Sequence, residues 1–378
     1  MIYLTFAWRY FKAKKSTNAI NIIAWVSVIA IAVGTASLII LLSVFNGFEE
    51  LVKSLYADFY TDIRIGSLKG KTIFLTTEQL KAIKAMPELK SFSLTMEEKA
   101  LLQNGDFPAI VTVKGVDSNY RRVSGMADKL IRGEYSLGTT DTPYTILGAG
   151  IENAIGLQSD RTLLPLTIYL PRKGTTNSAD PRQSLSTDNI RAAGAFAIQQ
   201  DFDNKYAVTN LGFVKRMLDM KPDEYGAAEI MLNEEGQNEK VKKELVSILG
   251  PGYLIQNRYQ QNRSLYSVMQ MEKWVIYGLL SLILVVAAFT MIGALTMLVL
   301  EKRKDIQLLK ALGMTNALVG KIFLSEGVLL ATVGGLSGVI LALLTCWFQL
   351  RFHLVKLEGN SFLIDYYPVK LATADVML

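Results

Sequence analysis

Two residue types that build metal and redox sites are almost missing from this chain of 378 residues. It contains one cysteine, Cys346, and one histidine, His353. A single cysteine cannot form a disulfide within the chain, and one histidine cannot supply a His-rich zinc site or a metalloprotease pair. A Ser/His/Asp triad would have to use His353, which lies at the edge of an apolar segment without a nucleophile elbow. The sequence therefore predicts no catalytic residue and no metal site.

Charge is also missing from three long segments, and these segments are apolar. A helix needs about 20 apolar residues to cross the hydrocarbon core of a membrane, and over such runs only a helix satisfies its own backbone polar groups. A cleaved signal peptide has a shorter apolar core of about 7–15 residues, so the first run is interpreted as an uncleaved anchor. The charge-free segments are Ser16–Phe48, Trp274–Leu300 and Gly327–Leu350. We predict transmembrane helices at residues 19–46, 271–300 and 323–350.

The net charge of +6 is concentrated beside these runs. Residues 1–15 carry four basic and no acidic side chains, and residues 301–326 carry five basic and three acidic ones. Residues 46–273 carry 28 of each sign. Because Lys and Arg are enriched in short cytoplasmic loops, we expect residues 1–18 and 301–322 inside and the domain 47–270 outside. A diffuse basic surface for nucleic acid would not distribute charge in this way, so no nucleic-acid partner is expected.

The first residues also have helical periodicity. Apolar side chains share one face and polar or cationic ones the other: Leu4, Ala7, Trp8 and Phe11 against Thr5, Arg9 and Lys12. Such a pattern predicts an interfacial amphipathic helix over residues 1–18, with Trp8, Arg9, Phe11 and Lys12 at the lipid headgroups. The alternative is a disordered basic tag that only sets the topology.

The segment 47–270 is long enough for its own α+β core, in one or two lobes. Thr76 or Thr77 is a candidate N-cap for a helix through Leu80 and Ile83. Asn104-Gly105-Asp106 separates two strand-like runs and predicts a hairpin, whereas residues 210–219 and 237–249 are helical. We expect the end of the segment to form a helix that continues into the second apolar run. The polar stretch Pro171–Asn189 lies between two further strand-like runs. A loop of this length is either functional or disordered, and its composition alone favours a flexible tip. Gly66–Thr72 has too few residues between its glycines for a phosphate-binding loop, so it is interpreted as a turn.

The loop between the second and third apolar runs predicts a short amphipathic helix. Ile306, Leu309 and Leu312 share one face, and Lys302, Asp305 and Lys310 surround it. Gly313 is a candidate C-cap, and Thr315 can cap the next helix. An apolar face without a partner in the chain favours docking into a groove on another protein, although a loop that only sets topology needs no such face.

Small residues within the apolar runs predict close helix packing. The third run contains Gly334-xxx-Gly338, and the first has a similar small face at Ala30 and Gly34. Such spacing lets two helix backbones approach one another. We expect the first helix to line the cavity of a dimer.

Several segments resemble known permeases. Phe6–Lys15, Ile23–Gly34 and Ser43–Leu51 resemble Lol-type lipoprotein-releasing permeases. Glu301–Gly313 and Ile322–Gly327 resemble the coupling segment of the wider FtsX/MacB-like permease superfamily. The resemblance covers essentially the whole chain, and its N-terminal segments are the more specific to the Lol branch.

The resemblance implies four spans and a cytoplasmic ABC ATPase that holds ATP and Mg, so that this chain binds no cofactor itself. The implied ATPase contacts are Lys302, Arg303, Asp305, Ile306, Leu309, Lys310, Leu312 and Gly313. It also implies a second identical or related permease chain and a lipoprotein cargo. Pro171–Asn189 matches in position the hook loop that grips a periplasmic lipoprotein carrier, which makes Pro171, Arg172, Pro181 and Arg182 candidate carrier contacts. Residues 371–378 resemble the start of a helix, so we expect the fourth span to be truncated.

The predicted fold class is a membrane protein. Its α-helical transmembrane bundle shows three spans and a truncated fourth, and a large α+β extracytoplasmic domain is inserted between the first two. The expected function is a non-catalytic ABC transporter permease of the bacterial inner membrane that extracts lipoproteins and passes them to a periplasmic carrier. A MacB-like efflux or FtsX-like cell-division mechanotransmitter is the alternative. A membrane-anchored sensor is less favoured, because cytoplasmic segments of about 15–25 residues cannot form a signalling domain.

Overall fold

A computed structural model describes residues 18–161, 164–172, 185–357 and 366–373. Its contacts divide the chain into two units. One unit contains the long apolar helices, up to Leu51 and from Ser267 onward, and the other is Val52–Tyr266. The predicted membrane contacts Trp8, Arg9, Phe11 and Lys12 lie outside the described residues.

The elements are numbered in chain order. The helices are α1 (Asn18–Phe59), α2 (Thr77–Lys84), α3 (Tyr120–Val123), α4 (Ala149–Ala154), α5 (Gln200–Asp203), α6 (Leu211–Met217), α7 (Asn238–Leu249), α8 (Arg258–Gln261), α9 (Arg263–Glu301), α10 (Arg303–Ala311) and α11 (Asn316–Phe352). The strands are β1 (Ile63–Ser67), β2 (Ile73–Phe74), β3 (Leu89–Asn104), β4 (Phe107–Val116), β5 (Leu130–Gly133), β6 (Tyr144–Gly148), β7 (Leu166–Pro171), β8 (Leu185–Phe196), β9 (Tyr206–Asn210), β10 (Glu224–Tyr225), β11 (Ala227–Leu232) and β12 (Tyr253–Asn257).

Three of the helices, α1, α9 and α11, are long and apolar enough to cross a membrane. Each extends beyond its predicted span. Helix α1 continues to Phe59, past the first charged residues Glu49 and Glu50. Charge ends an apolar run without ending a helix, so hydropathy alone places the boundary too early. Helix α9 begins at Arg263, which confirms that one helix leads from the inserted domain into the second apolar run.

The predicted small residues of α11 pack against α1. A Cβ atom added at Gly334 would lie 2.9 Å from the Ile31 Cβ, and one at Gly338 would lie 2.5 Å from the Ala32 carbonyl oxygen. Gly34 of α1 instead faces Ile283 of α9 at 3.7 Å. The two glycines of α11 thus permit a close backbone approach within one chain. Ala30 is half-buried, and its place in a dimer cavity stays a prediction.

The Val52–Tyr266 unit is built on one sheet of ten strands. Six of them hydrogen-bond in a closed circuit, β3-β4-β9-β6-β8-β7 and back to β3, and β11, β1 and β12 extend from β3 as an arm. The β4·β9 and β6·β8 pairs are parallel and the other pairs of this sheet are antiparallel. One apolar core belongs to the circuit and includes Leu102, Val113, Ile168 and Phe213. A second core belongs to the arm and includes Ile65, Ile83, Ile230, Leu245 and Ile255. A third core, which includes Phe196 and Val208, belongs to the circuit as well, so the circuit and the arm have separate apolar cores.

Local turn and cap signals are confirmed in this unit. Gly105 has φ +57° in the turn between β3 and β4, where Asn104 pairs with Phe107. Thr76 caps α2 in a capping box with Gln79. The polar stretch after Pro171 is shorter as a loop than predicted, because Leu185–Asn189 already belongs to β8 and pairs with β7.

Candidate functional site

Helix α10 is the predicted docking element, and its C-terminus is shaped by glycine. Gly313 has φ +91°, a conformation that glycine adopts without a steric penalty. The Gly313 N–H donates to the Lys310 carbonyl at 2.9 Å, and the Met314 N–H donates to the Leu309 carbonyl at 3.1 Å. This pair of bonds is a Schellman motif, which confirms Gly313 as the helix stop. Thr315 occupies the N-cap position of α11 without a side-chain capping bond.

The exposed apolar face of α10 differs from the predicted one. Leu308 and Leu312 are 65% and 76% exposed, whereas Ile306 and Leu309 are half-buried. Residues four apart on a helix are neighbours, so Leu308 and Leu312 form one patch. The contact between α10 and α11 sets the rotation of this short helix, and sequence periodicity does not contain that information.

Several charged groups lie on α10. Lys302, at the N-cap position of α10, pairs with Asp305 at 3.2 Å. Arg303, Lys304 and Lys310 are exposed. Lys304 lies one turn before Leu308 on the same face of α10, so two leucines with a cation beside them can dock in an apolar groove that has an acidic edge.

The base of the predicted hook is a β-hairpin. Pro171 pairs with Leu185, and both Pro171 and Arg172 are exposed. A cavity of about 270 Å³ lies beside them, lined by Lys71, Thr72, Met96, Glu98, Pro171, Arg172, Leu218 and Met220. The other two predicted hook residues, Pro181 and Arg182, lie outside the described residues.

A buried ionic cluster, which the sequence did not predict, joins the circuit of strands to the arm. The Lys114 ammonium of β4 lies 2.7 Å from Glu229 of β11 and 3.2 Å from Glu97 of β3. Burial would lower the pKa of Lys114, but the Glu229 and Glu97 carboxylates and Tyr120 together outweigh burial and hold this pKa well above its ordinary value. Burial would likewise raise the pKa of Glu97, and Lys114 and Arg64 bring it below its ordinary value. The one available signal was a lysine in the otherwise apolar run of β4.

The end of α1 packs against this cluster. The Phe59 ring lies 4.9 Å from the Lys114 ammonium, stacks on Phe202 at 4.4 Å and contacts Tyr206 at 4.5 Å. One turn earlier, the Tyr56 hydroxyl donates to Asp201 at 3.1 Å. Cation–π and aromatic contacts of this kind stabilise the fold beyond the contribution of the apolar area that they bury. Helix α1 therefore ends in a rigid aromatic anchor.

Comparison with known proteins identifies the family. Residues 277–373 match the FtsX-like permease C-terminal family, and residues 24–191 match the MacB-like periplasmic core domain. The lipoprotein-releasing system transmembrane protein LolC of Neisseria meningitidis is 26% identical over 98% of this chain and 90% of its own length. LolE of Haemophilus influenzae is 25% identical over 98% of this chain and 91% of its own. The chain is a Lol-type permease of the FtsX/MacB-like superfamily. A solved periplasmic region of MacB from Actinobacillus actinomycetemcomitans has 13% identity and a TM-score of 0.38, covering 57% of this chain and 98% of that one.

One segment of this Lol-type permease, Ser43–Leu51, has a clear structural role. A Cβ atom at Gly47 would overlap the Pro368 carbonyl, so only glycine admits the segment 366–373 beside α1. The Lys370 N–H donates to the Ser43 carbonyl at 2.9 Å, and the Lys370 ammonium lies 2.7 Å from Glu50. Ser43, Gly47 and Glu50 thus hold α1 against the chain that follows α11.

Proposed function

We propose that this chain is the permease subunit of an ATP-driven ABC transporter that extracts lipoproteins from the outer leaflet of the bacterial inner membrane. The observation that carries the proposal is similarity over 98% of the chain to lipoprotein-releasing system transmembrane proteins. Moving an acyl chain out of a membrane costs about 0.8 kcal/mol per CH₂ group, so a lipoprotein with several chains does not leave unaided. A permease that receives work from ATP hydrolysis meets that need.

The ATPase is a separate cytoplasmic subunit that docks on α10 and carries ATP and Mg. The exposed patch of Leu308 and Leu312, with the cation Lys304 one turn before Leu308, supports this assignment. The rigid stop at Gly313 joins α10 closely to α11. A push on α10 therefore reaches a long membrane helix through a short, ordered turn.

Work passes to the outer domain through α1 and α9. Both helices continue without a break into the Val52–Tyr266 unit. Helix α1 ends at Phe59, which contacts Phe202 of α5 and Lys114 of β4, so an axial or tilting motion of α1 moves α5 and β4. To transmit this motion, α1 needs only to be stiff and to be held firmly by the contacts of Phe59 at its end.

The proposed function also assigns a side of the membrane and a partner to each part of the chain. Residues 1–17 and α10 are cytoplasmic, and the Val52–Tyr266 unit is periplasmic, as the distribution of Lys and Arg favours. Helix α9 buries little of its apolar surface within the chain, which supports a second permease chain, identical or related, and lipid as its neighbours. The β7–β8 hairpin, with Pro171 and Arg172 at its base, meets the periplasmic lipoprotein carrier.

Depletion of the chain followed by membrane fractionation tests this function. We expect outer-membrane lipoproteins to accumulate in the inner membrane, and re-expression of the chain to restore their sorting. Correct sorting after depletion would instead favour a MacB-like efflux or FtsX-like division role on the same scaffold.

A further inference from the structure

A cationic pocket lies on the Val52–Tyr266 unit, apart from the hairpin and from the Lys114 cluster. Its volume is about 240 Å³, and it is lined by Lys84, Leu89, Lys90, Ser91, Phe92, Asn119 and Arg122. Three of these seven side chains are cations and none is an acid. The three cations come from separate elements, the last turn of α2, the start of β3 and α3. Convergence of like charges has an electrostatic cost that a bound anion removes.

The cations of the pocket have no ionic partner in the described part of the chain. Lys84, Lys90 and Arg122 are exposed and form no ion pair there. The Lys84 ammonium lies 5.5 Å from the centre of the Phe92 ring. Nearby carboxylates are engaged elsewhere, since Glu88 pairs with Lys240 at 2.7 Å and Asp117 accepts from Ser93 and from two backbone N–H groups.

A β-bulge presents Lys90 to the pocket. Ser91 pairs with Met231 and Leu89 pairs with Leu232, so Lys90 is the extra residue between them. Bulges redirect a side chain and are frequent at functional positions. The side chains of Ser91 and Asn119 also make no hydrogen bond within the described residues, although Asn119 occupies the N-cap position of α3. Five polar side chains are therefore available to one ligand.

We propose that this pocket binds a phosphate-bearing group. A guanidinium and two ammonium groups donate several charge-assisted hydrogen bonds, and the planar fork of Arg122 matches two phosphate oxygens. A water molecule occupies about 30 Å³ in the liquid, so the pocket holds a phosphate together with part of the molecule that carries it. Phosphate chemistry is shared by free phosphate and by phospholipid headgroups, and binding measurements distinguish them.

The test is calorimetric titration of the full chain in detergent with two probes, inorganic phosphate and glycerophosphoglycerol, the headgroup of phosphatidylglycerol without its acyl chains. The pocket variant is Lys84→Gln/Lys90→Gln/Arg122→Gln. The control variant, Lys69→Gln/Lys221→Gln/Lys243→Gln, removes the same charge from exposed lysines outside the pocket. Because the substitutions remove charge-assisted hydrogen bonds to the phosphate, we expect binding to weaken at least tenfold in the pocket variant and by less than twofold in the control.

Tighter binding of glycerophosphoglycerol would assign the pocket to a lipid headgroup, and tighter binding of phosphate to a free phosphate or phosphomonoester. The variant Arg122→Lys keeps the charge and removes the fork, and it should bind with intermediate affinity. The proposal is overturned if the wild-type chain binds neither probe, or if the control loses as much affinity as the pocket variant. Thermal unfolding of all variants verifies that they are folded.

Discussion

The Lys114 ammonium lies 2.7 Å from a carboxylate oxygen of Glu229, and each of the two side chains is only 3% exposed. Lys114 belongs to β4 and Glu229 to β11, with β3 between them in the sheet. The pair therefore joins the closed circuit of strands to the arm. Removing one partner of a buried ion pair leaves a charge without compensation in a low-dielectric site.

The first prediction concerns that pair. Lys114→Met should lower the free energy of unfolding by about 3–5 kcal/mol, because Glu229 and Glu97 lose their buried counter-charge. Urea unfolding of the full chain in detergent, monitored by far-UV circular dichroism and tyrosine fluorescence, measures the loss. Lys99→Met, an exposed lysine two residues beyond Glu97, is the control and should change stability by less than about 0.5 kcal/mol. Equal effects of the two substitutions would refute a structural role for the cluster.

The second prediction is a reversed pH dependence in the Lys114→Met variant. In the wild type the pKa of Glu97 is lowered, so its stabilising contribution is present above the unfolded pKa of about 4.3 and is lost as the pH falls further. Without Lys114, burial, the largest influence on Glu97, outweighs the remaining cation Arg64 and raises the pKa of Glu97. The variant should then become less stable as the pH rises from 4 to 7. Unfolding curves at both pH values measure this, and a variant that gains stability over that range contradicts it.

The third prediction tests the contact between α1 and the segment 366–373. Gly47→Val places a Cβ atom onto the Pro368 carbonyl and should displace that segment. We expect a lower thermal unfolding temperature in detergent and faster proteolysis near Lys370. Gly278→Val on α9 is the matched control, since a Cβ atom there has no neighbour within 4 Å. If Gly278→Val is as destabilising as Gly47→Val, β-branching in a helix and not the contact is responsible.

The fourth prediction concerns the docking patch of α10. Leu308→Glu/Leu312→Glu should abolish co-purification of the ATPase and leave the unfolding temperature unchanged, because both side chains are exposed. Val246→Glu on α7 adds a charge at an exposed apolar residue of the other unit and should have no effect on co-purification. Retention of the ATPase by the α10 variant would show that docking occurs elsewhere.

Features with local signals could be predicted from the sequence. The apolar runs, the turn at Gly105, the cap at Thr76 and the helix stop at Gly313 each depend on neighbouring residues alone. The strands β9 and β11 were missed because they are almost entirely buried, and a buried strand does not alternate between apolar and polar residues.

The candidate site was only partly predictable. The position of α10 followed from its charges and its glycine, but its rotation depends on α11, and Leu308 replaced Ile306 and Leu309 as the exposed apolar side chain. The cluster of Glu97, Lys114 and Glu229 is formed by residues far apart in the chain. No pattern among neighbouring residues of the sequence indicates such a contact. It follows from the order of the strands, which places β4, β3 and β11 side by side in the sheet.

The most direct measurement of the central claim is lipoprotein release from proteoliposomes. The chain is reconstituted with its ATPase, its partner permease chain and a triacylated lipoprotein, and ATP is added with the soluble carrier outside. We expect the lipoprotein to appear in the soluble fraction with ATP, and to stay in the membrane with a non-hydrolysable analogue or with Leu308→Glu/Leu312→Glu. Normal ATP hydrolysis without any release of lipoprotein would contradict the account.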